Sequence, residues 1–170
     1  MRIKRTEQTV YRFNELSEKA QDKAIEKLYD LNVGYEWWNN TYEDAERVGL
    51  KIKGFDLERG NSIEGILSSS LTESVTAILT DHGEICETYQ LAKRYKEVID
   101  VLDVKRRLGL IDEDSYNDQI DELQELYLRE LLQCYLSILR QEYDYQTSRE
   151  AIIESIEANE YEFDEEGQLA

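Results

Sequence analysis

Between residues 116 and 138 the apolar side chains fall at a fixed rhythm. Tyr116, Ile120, Leu123, Tyr127, Leu131, Cys134 and Ile138 follow a 4-3-4-4-3-4 spacing. Only an α-helix returns such a set to one side. Leu128, Leu132, Tyr135 and Leu139 widen that face, so this helix is expected to be central. About 30 residues at a rise of ~1.5 Å each gives a rod of roughly 45 Å. The chain of 170 residues contains no proline, which leaves long helices uninterrupted. A second long helix is expected over about 84–108, with Ile85, Tyr89, Ala92, Ile99 and Leu102 inward and Gly109 as its stop. The two would pack as a long antiparallel pair.

Shorter elements surround this pair. Residues 9–13 alternate weakly, as a short strand does. Ser17 offers an N-cap to a first helix reaching about Asn32, with Ala20, Ala24 and Leu28 inward and Gly34 near its C-cap. A second helix is expected from about Glu36 to Val48, ended by Gly49. In "LKIKGFDLERGNSIEGIL" the alternation of Leu50 and Ile52 resumes one residue late at Phe55 and Leu57. A strand bulged at Gly54 explains the slip, and Arg59-Gly60-Asn61 turns it into a partner strand over 62–67. "SLTE" at 70–73 and "TSRE" at 147–150 read as capping boxes for two further helices. Val75, Ile78 and Leu79 face inward on the first; Ile152, Ile153 and Ile156 do so on the second. Tyr161 and Phe163 alternate, as a strand added to the hairpin would. The expectation is one α+β domain over 1–170, predominantly helical, with about six helices and a hairpin or three-stranded antiparallel sheet.

Charge bounds the function. With 20 basic and 38 acidic residues the net is −18. Residues 1–107 hold 17 Lys and Arg against 20 Asp and Glu, whereas 108–170 hold 3 against 18. Such a chain repels nucleic acid and anionic membrane and attracts basic partners. No apolar run reaches the ~20 residues of a membrane span, and the N-terminus lacks the apolar segment of a signal peptide. Cys86 and Cys134 are too few for a disulfide framework, so a reducing cytoplasm is expected.

Signals for catalysis are sparse. His82 is the single histidine, placed before Gly83 at a helix end, where the dipole favours a cation. With Cys86 four residues on it supplies two ligands, too few for zinc. "DEDSYNDQIDE" from Asp112 lacks the glycine and ligand order of a calcium loop, and acids at a helix start complement the dipole. Lys105-Arg106-Arg107 at a helix end have the mirror-image explanation. No phosphate-binding glycine loop and no serine nucleophile elbow is present. Glu43 and Asp44 are adjacent and would project about 100° apart on a helix, so they form no facing acid/base pair. The chain is therefore expected to be no enzyme and to hold no metal or cofactor.

The acidic surface is the strongest functional signal. Asp118, Asp121, Glu122 and Glu125 share one helix face; Glu150, Glu154 and Glu157 share another, continued by Glu160, Glu162, Asp164, Glu165 and Glu166. Carboxylates three or four residues apart lie ~5–6 Å from one another, comparable with successive phosphates of a nucleic-acid strand. Trp37 and Trp38 precede the hairpin in "VGYEWWNNTYEDAERVGL". On a helix Trp38 aligns with Tyr42 and Ala45 as core, while Trp37 aligns with Thr41 and Asp44, half exposed and available as an anchor to a partner.

Four segments together carry a resemblance: "YRFNELSEKAQDKAIEKL", "NVGYEWWNNTYEDAERVGLKIKGFDLERG", "HGEICETYQLA" and "LRQEYDYQTSREAIIESIEANEYEFDEEGQL". They resemble small acidic proteins of unknown function from bacteriophages and mobile elements, some loosely labelled antitoxin-like. The resemblance covers most of the chain, least so 103–125, and brings no catalytic residue. It implies a genomic setting in which small acidic proteins inhibit host defence, anti-CRISPR proteins among them. The expected function is thus a non-enzymatic inhibitor in the host cytoplasm that binds a basic protein or ribonucleoprotein complex. A CRISPR effector or another defence nuclease fits that description, approached as a DNA mimic without direct contact to nucleic acid or membrane. An antitoxin neutralising a basic toxin and a phage structural protein are the alternatives.

Overall fold

The computed structural model describes residues 9–170. Among them are six α-helices and two separate two-stranded antiparallel sheets, an α+β fold in which helix predominates. The chain groups into two compact units, one of 38–140 and one of 1–37 with 141–170.

In the 38–140 unit, β2 (Leu50–Asp56) and β3 (Ser62–Leu67) form the expected hairpin, with the register shift between Ile52 and Gly54. Asp56 closes its turn by accepting from the Glu58 and Arg59 N–H groups at 2.8 and 3.0 Å. These bonds to the charged form hold the Asp56 carboxyl below its ordinary range. Gly49, at φ +79°, ends α2 (Asn39–Arg47) and leads directly into β2. The capping box opens α3 (Leu71–Asp81), with Ser70 Oγ accepting from Glu73 N–H and Glu73 accepting in return.

The long antiparallel pair is α4 (Glu87–Arg107) and α5 (Glu113–Gln146). Their partners descend on one helix as they rise on the other. Tyr95 stacks edge-on to Tyr127 at 5.1 Å, Tyr116 OH donates to Asp103 at 2.7 Å, and Arg106 meets Glu113 at 3.4 Å. The core gathers Val48, Leu50, Leu71, Val75, Ile78, Leu91, Ile99, Tyr127, Leu131 and Tyr135.

In the other unit, Ser17 caps α1 (Glu18–Lys27), and Ser148 caps α6 (Arg149–Ala158). Phe13, Leu16, Ala20, Ala24, Ile152, Ile156 and Phe163 form its core. β1 (Tyr11–Arg12) pairs with β4 (Glu162–Phe163).

Several expectations are corrected. The C-terminal strand joins β1, not the hairpin, because Phe163 is the apolar partner of Tyr11 and fills the core of its own unit. Helix α1 stops at Lys27, not near Asn32. Asn32, in the turns that follow, is buried and uses its amide to donate to the Gln146 carbonyl and accept from Ser155. Ile85 is 97% exposed, since α4 starts two residues later. Ile138 sits at 36% exposure while Leu139 is fully buried, because toward its C-terminal end α5 buries the side that carries Tyr135, Leu136 and Leu139. The "TSRE" cap moves by one: Ser148 accepts from Ala151 N–H, and Thr147 donates to the Tyr143 carbonyl. The tryptophans precede α2, which begins at Asn39, and Trp38 is half-buried instead of core. Its ring lies edge-on to Phe55 at 5.6 Å, so it covers the hairpin from outside.

Candidate functional site

The thirteen residues singled out in sequence fall into two sets. Asp118, Asp121, Glu122 and Glu125 lie on the exposed side of α5 in the 38–140 unit. Their i, i+3, i+4, i+7 spacing makes one ridge, opposite the buried Tyr127 and Leu131. None of the four is in an ion pair with a described residue, and no Lys or Arg occurs between Arg107 and Arg129. The neighbouring acids have local duties. Asp112 caps α5 by accepting from Ser115 N–H at 2.8 Å; the Ser115 hydroxyl first and then this N–H hold its carboxyl low, and Glu113 engages Arg106.

The remaining nine belong to the other unit. Glu150, Glu154 and Glu157 line the exposed side of α6, opposite Ile152 and Ile156. Beyond them the chain hooks back, and the carboxylates divide by role. Glu160 pairs with Arg12 at 3.1 Å, and Glu166 approaches Lys23 at 3.9 Å. Asp164 accepts from the Glu166 and Gln168 N–H groups at 3.0 and 2.9 Å, fixing the turn. Glu162 and Glu165 are exposed. Trp37 is half-buried with its ring 5.6 Å from that of Tyr143, so only part of it is open to a partner.

The α5 ridge is the stronger set because it is continuous and unneutralised. Its four i,i+3 and i,i+4 like-charge pairs each cost about 0.2–0.5 kcal/mol. Converting Asp118, Asp121, Glu122 and Glu125 to Asn or Gln should therefore raise the thermal midpoint by about 2–8 °C at low salt. Calorimetry at about 0.01 M and 1 M salt checks this, since screening shrinks the gain.

Folding also redistributes the charge. Residues 1–37 and 141–170 hold 8 basic and 17 acidic residues, and 38–140 hold 12 and 21, a net of −9 in each unit. The strong tilt along the chain does not survive because 141–170, with one basic and ten acidic residues, groups with 1–37, which is neutral, while α4, with six basic and four acidic residues, lies antiparallel to α5. Arg94 reaches Glu130 at 3.2 Å there.

Sequence reasoning missed one polar cluster. His82 is the C-cap of α3, with a nearly buried ring whose Nδ1 is 2.6 Å from Thr88 Oγ1. Its Nε2 faces Asp44 Oδ2 at 3.5 Å, and Tyr135 OH donates to that same oxygen at 2.8 Å. Arg47 holds the other Asp44 oxygen at 2.8 Å. Tyr135 and Asp44 are 91 residues apart, so no local pattern announces the pairing. The cluster lies among packed helices, with Thr88 buried beside the ring. No three His, Cys, Asp or Glu side chains among the described residues are placed to hold a metal ion. No helix among them is long and apolar enough to cross a membrane.

No family model, curated protein or solved structure matches the chain.

Proposed function

We propose that this chain is a non-enzymatic binding protein whose α5 carboxylate ridge docks on the basic nucleic-acid surface of a protein or ribonucleoprotein complex. The observation carrying this reading is the exposed row of Asp118, Asp121, Glu122 and Glu125, which no described cation neutralises. A helix that tolerates four mutually repelling pairs gains nothing for its own stability from them. Presented to a groove of Lys and Arg, the same row replaces phosphates at matching intervals and accelerates encounter. The α6 carboxylates extend the acidic surface of the other unit, and Trp37 adds an aromatic contact there. The resemblance to phage and mobile-element proteins directs the reading to host defence nucleases such as CRISPR effectors, met in the host cytoplasm.

Affinity capture from a host lysate tests it, using the native chain beside a variant carrying Asp118→Asn, Asp121→Asn, Glu122→Gln and Glu125→Gln. A nucleic-acid-binding protein should be retained by the native chain and displaced by competing DNA. Its affinity should fall at least about tenfold in the variant and steeply with salt. Equal affinity and equal salt dependence for both chains would overturn the reading. A matched variant neutralised at Glu150, Glu154 and Glu157 reports separately on the α6 face.

A further inference from the structure

One exposed strip of α4 is apolar where solvent-facing helix positions are ordinarily polar. Val98, Val101, Val104 and Leu108 are 43, 54, 44 and 68% exposed. Spaced by three, three and four residues, they form a strip that runs beside the face Leu91, Tyr95, Ile99 and Leu102 turn to the core. Beside the stripe stand Glu97 and Lys105, both exposed and neither in an ion pair with a described residue.

We propose that this face is a self-association surface, on which a second copy of the chain packs across a two-fold axis at Val101. The charge pattern selects this occupant. Glu97, Val101 and Lys105 lie on one i±4 ridge, with opposite charges equidistant from Val101. Reversed by a two-fold, the ridge reads Lys, Val, Glu. In the commonest packing of two helices, i±4 ridges lie alongside one another with the axes about 50° apart. Glu97 of one copy then faces Lys105 of the other, and the contact occurs twice. Val98 and Val104 exchange places under the same operation, so these valines meet one another, while Leu108 meets the aliphatic stem of Arg94. Charge elsewhere on the molecule opposes any self-contact, whereas α4, with six basic and four acidic residues, carries a net positive charge. Repulsion between two chains of net −18 is weakest there.

Sedimentation equilibrium near physiological salt reads the result. The mass should rise from 20.1 kDa toward twice that value as the chain is concentrated to about 200 μM. Val101→Glu, which sets two carboxylates against each other on the axis, should keep the chain monomeric with an unchanged circular dichroism spectrum. Glu97→Lys should raise the dissociation constant about tenfold, because two attractive pairs become repulsive. Glu97→Lys with Lys105→Glu should restore the native value. A constant mass of 20.1 kDa, a dimer indifferent to Val101→Glu, or a charge exchange that restores nothing would each overturn the proposal.

Discussion

Raising the pH from 9 to 12 should unfold the 38–140 unit, with the loss beginning as free phenols ionise near pH 10. Three tyrosines set this window. Tyr127 is fully buried, and desolvation pushes its phenol up to about 12 despite the Ser74 hydroxyl at 2.9 Å. Tyr95 also rises to about 12, through burial first and then the Glu130 carboxylate that accepts its hydrogen bond at 2.9 Å. Tyr135 is raised beyond both, by burial and by Asp44. Below pH 10 these phenols are neutral in both states, and the folded form keeps its full stability. Between pH 10 and 12 the unfolded chain releases protons that the folded chain retains, so stability falls as pH rises. Tyr127 alone withdraws about 2–3 kcal/mol by pH 12. Phenolate absorbance should rise in more than one step. The buried ones should appear in a later step, coincident with loss of helical dichroism. Titration of all twelve tyrosines in one step with the helices intact would contradict this packing.

Gly167→Ala should cost the other unit several kcal/mol, more than any single carboxylate substitution on its surface. Gly167 has φ +81°, and a Cβ there would overlap the backbone carbonyl of Ala20. That close approach seats the C-terminal hook on α1, with Phe163 buried beneath and bridged to Leu169. An alanine must either move α1 or release the hook, and a flexible side chain is not available to give way. The expected signature is faster amide exchange over 161–170 and lower protection in α1, with a lowered thermal midpoint. Wild-type exchange in Gly167→Ala would show that the hook is not held by this contact.

Much of the architecture follows from nearest neighbours in sequence. Ser17 and the Ser70–Glu73 box start helices because their oxygens reach N–H groups two or three residues on. The Gly54 slip and the Arg59–Asn61 turn specify the hairpin for the same reason, and the alternation on each strand fixes its register. The acidic ridge of α5 is legible too, since helical spacing alone places four carboxylates on one exposed side.

Contacts that join distant residues lay beyond such reasoning. Nothing near Tyr161 or Phe163 says whether the strand adds to β2–β3 or to β1, as both offer a short edge; only the core behind Phe13 and Ile156 selects β1. Trp38 has an inward position if α2 is extended back through it, but the turn at Tyr35–Trp37 starts the helix late and leaves the ring over Phe55. The apparent concentration of charge in the last third is also divided, because 141–170 groups with 1–37 while α4 returns its arginines beside α5. The amino-acid sequence by itself determined the helices, the hairpin and the rows of carboxylates, because those depend on interactions within a turn or two of chain. The tertiary structure alone decided which strand pairs with which, which acids are neutralised, and that Asp44, His82 and Tyr135 meet. Each of those depends on burying side chains against partners tens of residues away, where the free energy of packing overrides local preference.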